Sequence, residues 1–234
     1  MTSLAQLVPY ISLATQFMGV APLTGGVAPA SRTITITTAI TPGAISALMT
    51  SSVAATVAIP MTVFSFLSGT KRVAVMVSGT ANVTLGLTAV AVPIQPVSFA
   101  IAANSVAPWW VGVIPALGLT DFGGEPDPVI EEVTGTDTLG GKAFAKMRTG
   151  QKISCTFNER PGDPAIEMLK AAAESPFDVQ SNLFVVMVRP DGEVKSGVGL
   201  IGGGSAPGNA NAPAKQSFDV MFQGSTFQRL SPGF

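Results

Sequence analysis

The chain has 234 residues, of which 47% are hydrophobic and only 12% charged (13 basic and 14 acidic), for a net charge of −1. That charged share is about half the ~25% of ordinary soluble domains, while a monomer of 23.8 kDa has roughly 9,900 Å² of surface to cover, so much of that surface is expected to lie against other subunits or a membrane. With no histidine and one cysteine, a Cys–His pair, a Ser–His–Asp triad, the usual zinc sites and an internal disulfide framework are all excluded.

The charges are unevenly placed. From Met1 to Thr120 there is no acid, and the bases are Arg32, Lys71 and Arg72; all 14 acids lie from Asp121 onward. The break near Asp121 is the candidate domain boundary, and neither side is basic enough for a nucleic-acid binding surface. The uncharged span from Val73 to Thr120 is long enough for a membrane helix, but Pro93, Pro96, Pro108 and Pro115 interrupt it, so no spanning segment is expected. Met1–Leu7 lacks the basic start of a signal peptide.

Met1–Ser31 reads as an N-terminal arm: Leu4, Leu7, Val8, Ile11, Leu13 and Phe17 are apolar, Pro9 breaks a helix, and Gly19, Pro22, Gly25, Gly26 and Pro29 supply loop chemistry. Its apolar residues favour docking, with a neighbouring subunit as the expected surface. Residues 32–120 read as a β-rich, uncharged module. Thr33–Thr37 alternates strictly, with Ile34 and Ile36 on one face, and Pro42-Gly43 marks a turn. Met61–Leu67, Arg72–Val77, Asn82–Leu87 and Ala89–Val92 are the next strands, and their turns suggest a small sandwich or barrel.

Trp109 and Trp110 offer a stacking platform or, as the plainer reading, an aromatic plug between the two halves, with no base beside them to hold a phosphate. Residues 121–151 form an acidic connector. Asp121, Glu125, Asp127, Glu131, Glu132 and Asp137 could bind a divalent ion or act as acid and base, but they lack a calcium loop's ligand pattern, and a solvated loop is the plainer reading.

The core runs over 152–234, including a C-terminal arm. A strand covers Lys152–Asn158, where Cys155 reads as a small buried apolar residue and not a nucleophile. Asp163 caps a helix with Pro164 in its first turn and Glu167 at the positive end of its dipole. Ile166, Leu169, Ala172 and Ala173 form its apolar stripe, and Ser175-Pro176 ends it. Asn182–Arg189 is apolar enough for a strand buried on both faces. Pro190-Asp191-Gly192 turns into Glu193–Leu200, Gly202-Gly203-Gly204 reads as a flexible loop, and Gln216–Gln223 alternates with Phe218, Val220 and Phe222 on one face.

The pieces KISCTFNERPGDPAIEMLKAA, LFVVMVRPDGEVKSGVGLIGGG and KQSFDVMFQGS, in that order, resemble the core of a tailed-phage major tail tube protein, and LGLTDFGGEPDPVIEEVTGTDTLGGKAFAKMRTGQKIS resembles the segment entering it. The acid-free first half resembles, more weakly, the Ala/Thr/Gly β modules that some such proteins carry. The resemblance implies a mainly β fold, a tail-tube-like β-sandwich or barrel with one flanking helix, and no catalytic residues, cofactor or metal. It implies a homo-oligomer of hexameric rings stacked into a hollow tube, with a terminator, tape measure, baseplate and sheath as tail partners. It implies that DNA passes through the lumen without specific binding. The expected location is the virion, after assembly in the bacterial cytoplasm. Two other functions stay open: another structural virion β protein (tail terminator, head decoration or baseplate component), and a carbohydrate-binding or carbohydrate-degrading tail component using Trp109, Trp110 and the acidic segment.

Overall fold

The computed structural model describes residues 16–69, 71–123, 126–132, 144–158, 162–175, 180–188, 194–205 and 215–222. They form strands β1 (Phe17–Pro22), β2 (Ser31–Ile36), β3 (Ser46–Ser51), β4 (Thr56–Ala58), β5 (Val63–Ser68), β6 (Lys71–Met76), β7 (Val83–Leu85), β8 (Val90–Pro93), β9 (Val106–Trp110), β10 (Ile114–Pro115), β11 (Leu119–Gly123), β12 (Pro126–Glu132) and β13 (Phe144–Asn158). Helix α1 (Pro164–Glu174) follows, then β14 (Asn182–Val188), β15 (Val194–Ser205) and β16 (Lys215–Phe222). The fold is mainly β, with one helix among the described residues.

The large sheet has the order β10-β1-β14-β15-β16-β13-β11, and β12 pairs with the outer part of β13. Strand β14 explains how the two halves of the molecule join. Its side chains alternate: Leu183, Val185 and Met187 lie with α1 in one core, while Phe184, Val186 and Val188 belong to a second core shared with the six-stranded sheet. A strand buried on both faces has no solvent side to mark with polar residues, which is why its sequence is continuously apolar.

Helix α1 starts where the residues say it should. The Asp163 Oδ1 accepts the N–H groups of Ala165 at 2.9 Å and Ile166 at 3.3 Å, satisfying two donors that a helix start leaves free. Its Oδ2 accepts the Leu117 N–H at 2.9 Å, tying the helix start to the segment between β10 and β11. Ile166, Leu169 and Ala172 are buried against the sheet. At about 1.5–3 kcal/mol for a large apolar side chain, this burial and not the short helix's own propensity holds it. A Cβ on Gly199 of β15 would come within 2.6 Å of Val220 Cγ1, so the bare backbone there lets β15 and β16 pack under the helix.

The second sheet has the order β6-β5-β9-β2-β3-β8. It curls until its rim strands meet: Val77 and Ile94 form a bridge, the Ser78 N–H donates to Pro93 O at 2.9 Å, and the Gln95 N–H donates to Met76 O at 2.9 Å. Ile34, Ile36, Met49, Phe64, Phe66, Val75 and Val92 fill the interior, and the ribbon β4–β7 adds Ala58 and Leu85. The chain enters the large sheet as β1, leaves to build this barrel and returns as β10.

Several expectations are corrected. Within the stretch read as an arm, Phe17–Pro22 is a strand paired along its length with β14 of the same chain, since its near-continuous apolar run serves both cores. Met1–Thr15 lies outside the described residues. The stretch 121–151 is not a solvated connector loop where it is described: it holds the end of β11, all of β12 and the start of β13, whose strand begins at Phe144 and not at Lys152. Proline is tolerated at a sheet rim because its missing N–H can face away from the ladder, and Pro126 and Pro128 occupy the rim strand β12. Gly202-Gly203-Gly204 belongs to β15 and not to a loop. The register shifts between Gly202 and Ser205, and Gly203 takes φ +69°, the irregularity that the glycines accommodate. The C-terminal arm beyond Phe222 and the turn Pro190-Asp191-Gly192 lie outside the described residues.

Candidate functional site

The two tryptophans fall on β9 and lie at the junction of the sheets. Trp109, 2% exposed, packs its ring 6.1 Å from Phe17 of the large sheet and 5.2 Å, edge-on, from Phe64 of the barrel. Trp110 stands 5.5 Å from Phe184. The aromatic plug reading therefore holds: Trp109 presents no free face for a base or sugar. Beside Trp110 a shallow groove of about 220 Å³ is lined by Ala28, Pro29, Ser31, Phe184, Ser196, Gly197 and Val198, without a charged side chain.

The acidic residues do not form a described cluster. Asp121 is exposed on β11 opposite Thr156, while Asp127, Glu131 and Glu132 are spread along β12, paired in register with Gly150, Ala145 and Phe144. Glu125 and Asp137 lie outside the described residues. Among the described residues no group of three or more His, Cys, Asp or Glu could hold a metal ion, and no helix is long and apolar enough to cross a membrane.

Cys155 is buried on β13 under the helix. Burial, with Asp219 and then Asp121 adding negative potential, pushes its thiol up to about 12. Held protonated at pH 8 and shut away from solvent, the thiol is a poor nucleophile. The folded protein is expected to resist a thiol reagent at pH 8 and to label fully in denaturant. Prompt labelling of the native protein would show that this strand opens.

A polar cluster occupies the opposite face of β13 and β16. Lys152 Nζ lies 2.9 Å from Asp219 Oδ2, and the Ser154 hydroxyl donates to Asp219 Oδ1 at 2.6 Å. Desolvation pulls the Asp219 carboxyl up, but the hydrogen bonds from Ser154 and Lys152 and the lysine's charge outweigh it and hold it below its ordinary 3.8. Its contribution to stability is thus in place above pH 3.8 and fades as the pH falls through the lower folded value. The cluster fastens β13 to β16, and its groups are committed to one another.

What the sequence did not reveal is the exposed apolar set. Ile45 and Leu87 are each 69% exposed, Val27 67% and Phe99 53%, with Met61 at 44% and Leu48 at 41%. Ile45 and Phe99 follow turn residues, where no alternation marks which way a side chain points.

The sequence matches no protein-family model. No curated protein is similar to it. Among solved structures, it is similar to a chain described as the tail of an empty GTA particle computed with helical refinement, C6 symmetry, with a TM-score of 0.37, 15% identity, and coverage of 50% of this chain and 87% of that one. At that score the likeness by itself fixes neither fold nor function.

Proposed function

We propose that this protein is a structural virion subunit, the major tail tube protein of a tailed phage. It would assemble as rings, six subunits by the resemblance of its second half, that stack into a hollow tube for DNA delivery. The observation that carries this reading is the surface: Ile45, Leu87, Val27 and Phe99 are each more than half exposed on a chain that is 12% charged. A monomer gains nothing from displaying them, whereas a subunit buries them against its neighbours. Among the described residues the large sheet ends in the two-residue strand β10 on one side and in β11 and β12 on the other; a strand edge is a template for pairing, and a closed ring uses such edges up. We assign the protein no reaction, cofactor or metal. DNA would slide past without the counterion-driven grip of Lys and Arg clusters. Its place would be the virion tail, after assembly in the host cytoplasm alongside the terminator, tape measure, baseplate and sheath.

Electron microscopy of the purified protein tests this. Tubes or stacked rings are the expected result. Discrete caps would shift the assignment to a terminator or another virion component, and particles that stay monomeric would end it.

A further inference from the structure

Strand β13 is longer than the sheet it belongs to. Residues 151–158 pair with β16 on one side, and residues 154–157 pair with β11 on the other. Residues 144–150 have β12 as their one partner among the described residues, in register from Glu132 opposite Phe144 to Asp127 opposite Gly150. Strand β16 stops at Phe222, opposite Gln151, so no described strand lies along the other side of 144–150. The result is a two-stranded ribbon running past the sheet by about 20 Å at ~3.4 Å per residue. Such a ribbon is marginal in water by itself, and a third strand is what makes it stable.

The two strands of the ribbon carry opposite charge. Strand β12 contributes Asp127, Glu131 and Glu132 and no base, while residues 144–150 contribute Lys146 and Arg148 and no acid. The register does not set them against each other. Asp127 stands opposite Gly150, Glu131 opposite Ala145 and Glu132 opposite Phe144, while Arg148 stands opposite Val129 and Lys146 opposite Ile130. One rim of the ribbon is therefore acidic and the other basic, and opposite charges on neighbouring strands attract.

We infer that the ribbon is a lateral connector between copies of this chain, in which the basic β13 rim of one copy takes the acidic β12 rim of the next as its third strand. Set beside its neighbour in the same orientation, β12 runs antiparallel to the β13 it joins, the more stable of the two pairings. Because the two rims differ, the contact is head-to-tail, the kind that can close into a ring. The competing occupant is the chain's own 223–234, which follows β16. That stretch carries one charge, Arg229, of the same sign as Lys146 and Arg148, whereas β12 brings three of the opposite sign. Pro126 and Pro128 remove two N–H donors from β12, which discourages indiscriminate backbone pairing and leaves selection to charge. The inference rests on the assembly reading above and names the contact that closes the ring.

The test uses two full-length double variants, Lys146→Glu with Arg148→Glu and Asp127→Lys with Glu131→Lys, in sedimentation over a concentration series. Each alone should need about tenfold more protein for half-assembly, since like charges then meet at every junction. Mixed in equal amounts, they should assemble near the wild-type concentration by alternating round an even ring, because each supplies the rim that the other needs. A chain with all four changes should do so alone. Charges that act only within one ribbon would restore the chain with all four changes and leave the mixture defective, which would overturn the inference. Amide exchange at residues 144–150 should slow on assembly. Exchange that is already slow in the dilute monomer, and quickens when 223–234 is removed, would give the rim to the chain's own end and overturn it as well. Both double variants assembling like the wild type would overturn the connector and leave the tube reading standing; a wild-type chain that never assembles would overturn both.

Discussion

Replacing Trp109 with alanine is expected to cost about 3–5 kcal/mol, the range for deleting a large aromatic from a packed core. The ring is 2% exposed and touches Phe17 of the large sheet and Phe64 of the barrel, so one truncation opens a cavity across the junction. At about 2–4 °C per kcal/mol for a chain of this size, the melting temperature should fall by about 6–20 °C. Because the two sheets share one core, the variant should still melt in one transition, followed by far-UV circular dichroism. A loss under about 1 kcal/mol would show that the ring is not what joins them, the threshold being a surface-like effect.

Asp163→Ala should be nearly as damaging. A helix cap alone is worth about 1 kcal/mol. Here the same carboxylate also accepts the Leu117 N–H at 2.9 Å, and Asp163 is 6% exposed, so the truncation strands a donor away from water as well. An unsatisfied buried group adds about 1–3 kcal/mol, giving about 3 kcal/mol in all. Asp163→Asn should recover part of this, because its carbonyl oxygen can still accept from Ala165 and Ile166 while its amide meets the Leu117 N–H as a second donor. Urea midpoints read at constant slope check both variants. An alanine variant as stable as the parent would mean that the helix start is secured elsewhere.

The sequence reading succeeded where structure follows from neighbours in the chain. The Asp163-Pro164 start, the Ile166–Leu169–Ala172 stripe, the alternation of Ile34 with Ile36 and the set Phe218, Val220 and Phe222 are all local patterns, and all sit where their spacing puts them. Val185 and Val186 pointing into different cores was foreshadowed by the unbroken apolar run of β14. Pairings between distant segments were not legible. Phe17–Pro22 looks like an arm until Val188–Leu183 is placed beside it. The rim position that lets Pro126 and Pro128 sit in a strand is not written in local sequence. The closure of Val77 on Ile94 and the positive φ of Met61 leave no periodic trace at all. For the candidate site the limit was sharper, since composition signalled a surface meant for contact, yet only the fold says that Ile45, Met61 and Phe99 are the side chains displayed.

The claim on which everything functional depends is self-assembly, and native mass measurement of the purified full chain over a rising concentration series tests it most directly. Discrete closed oligomers, sixfold by the resemblance, are expected to give way to larger stacked species as concentration increases. A mass of 23.8 kDa persisting at the highest concentration reached would contradict it.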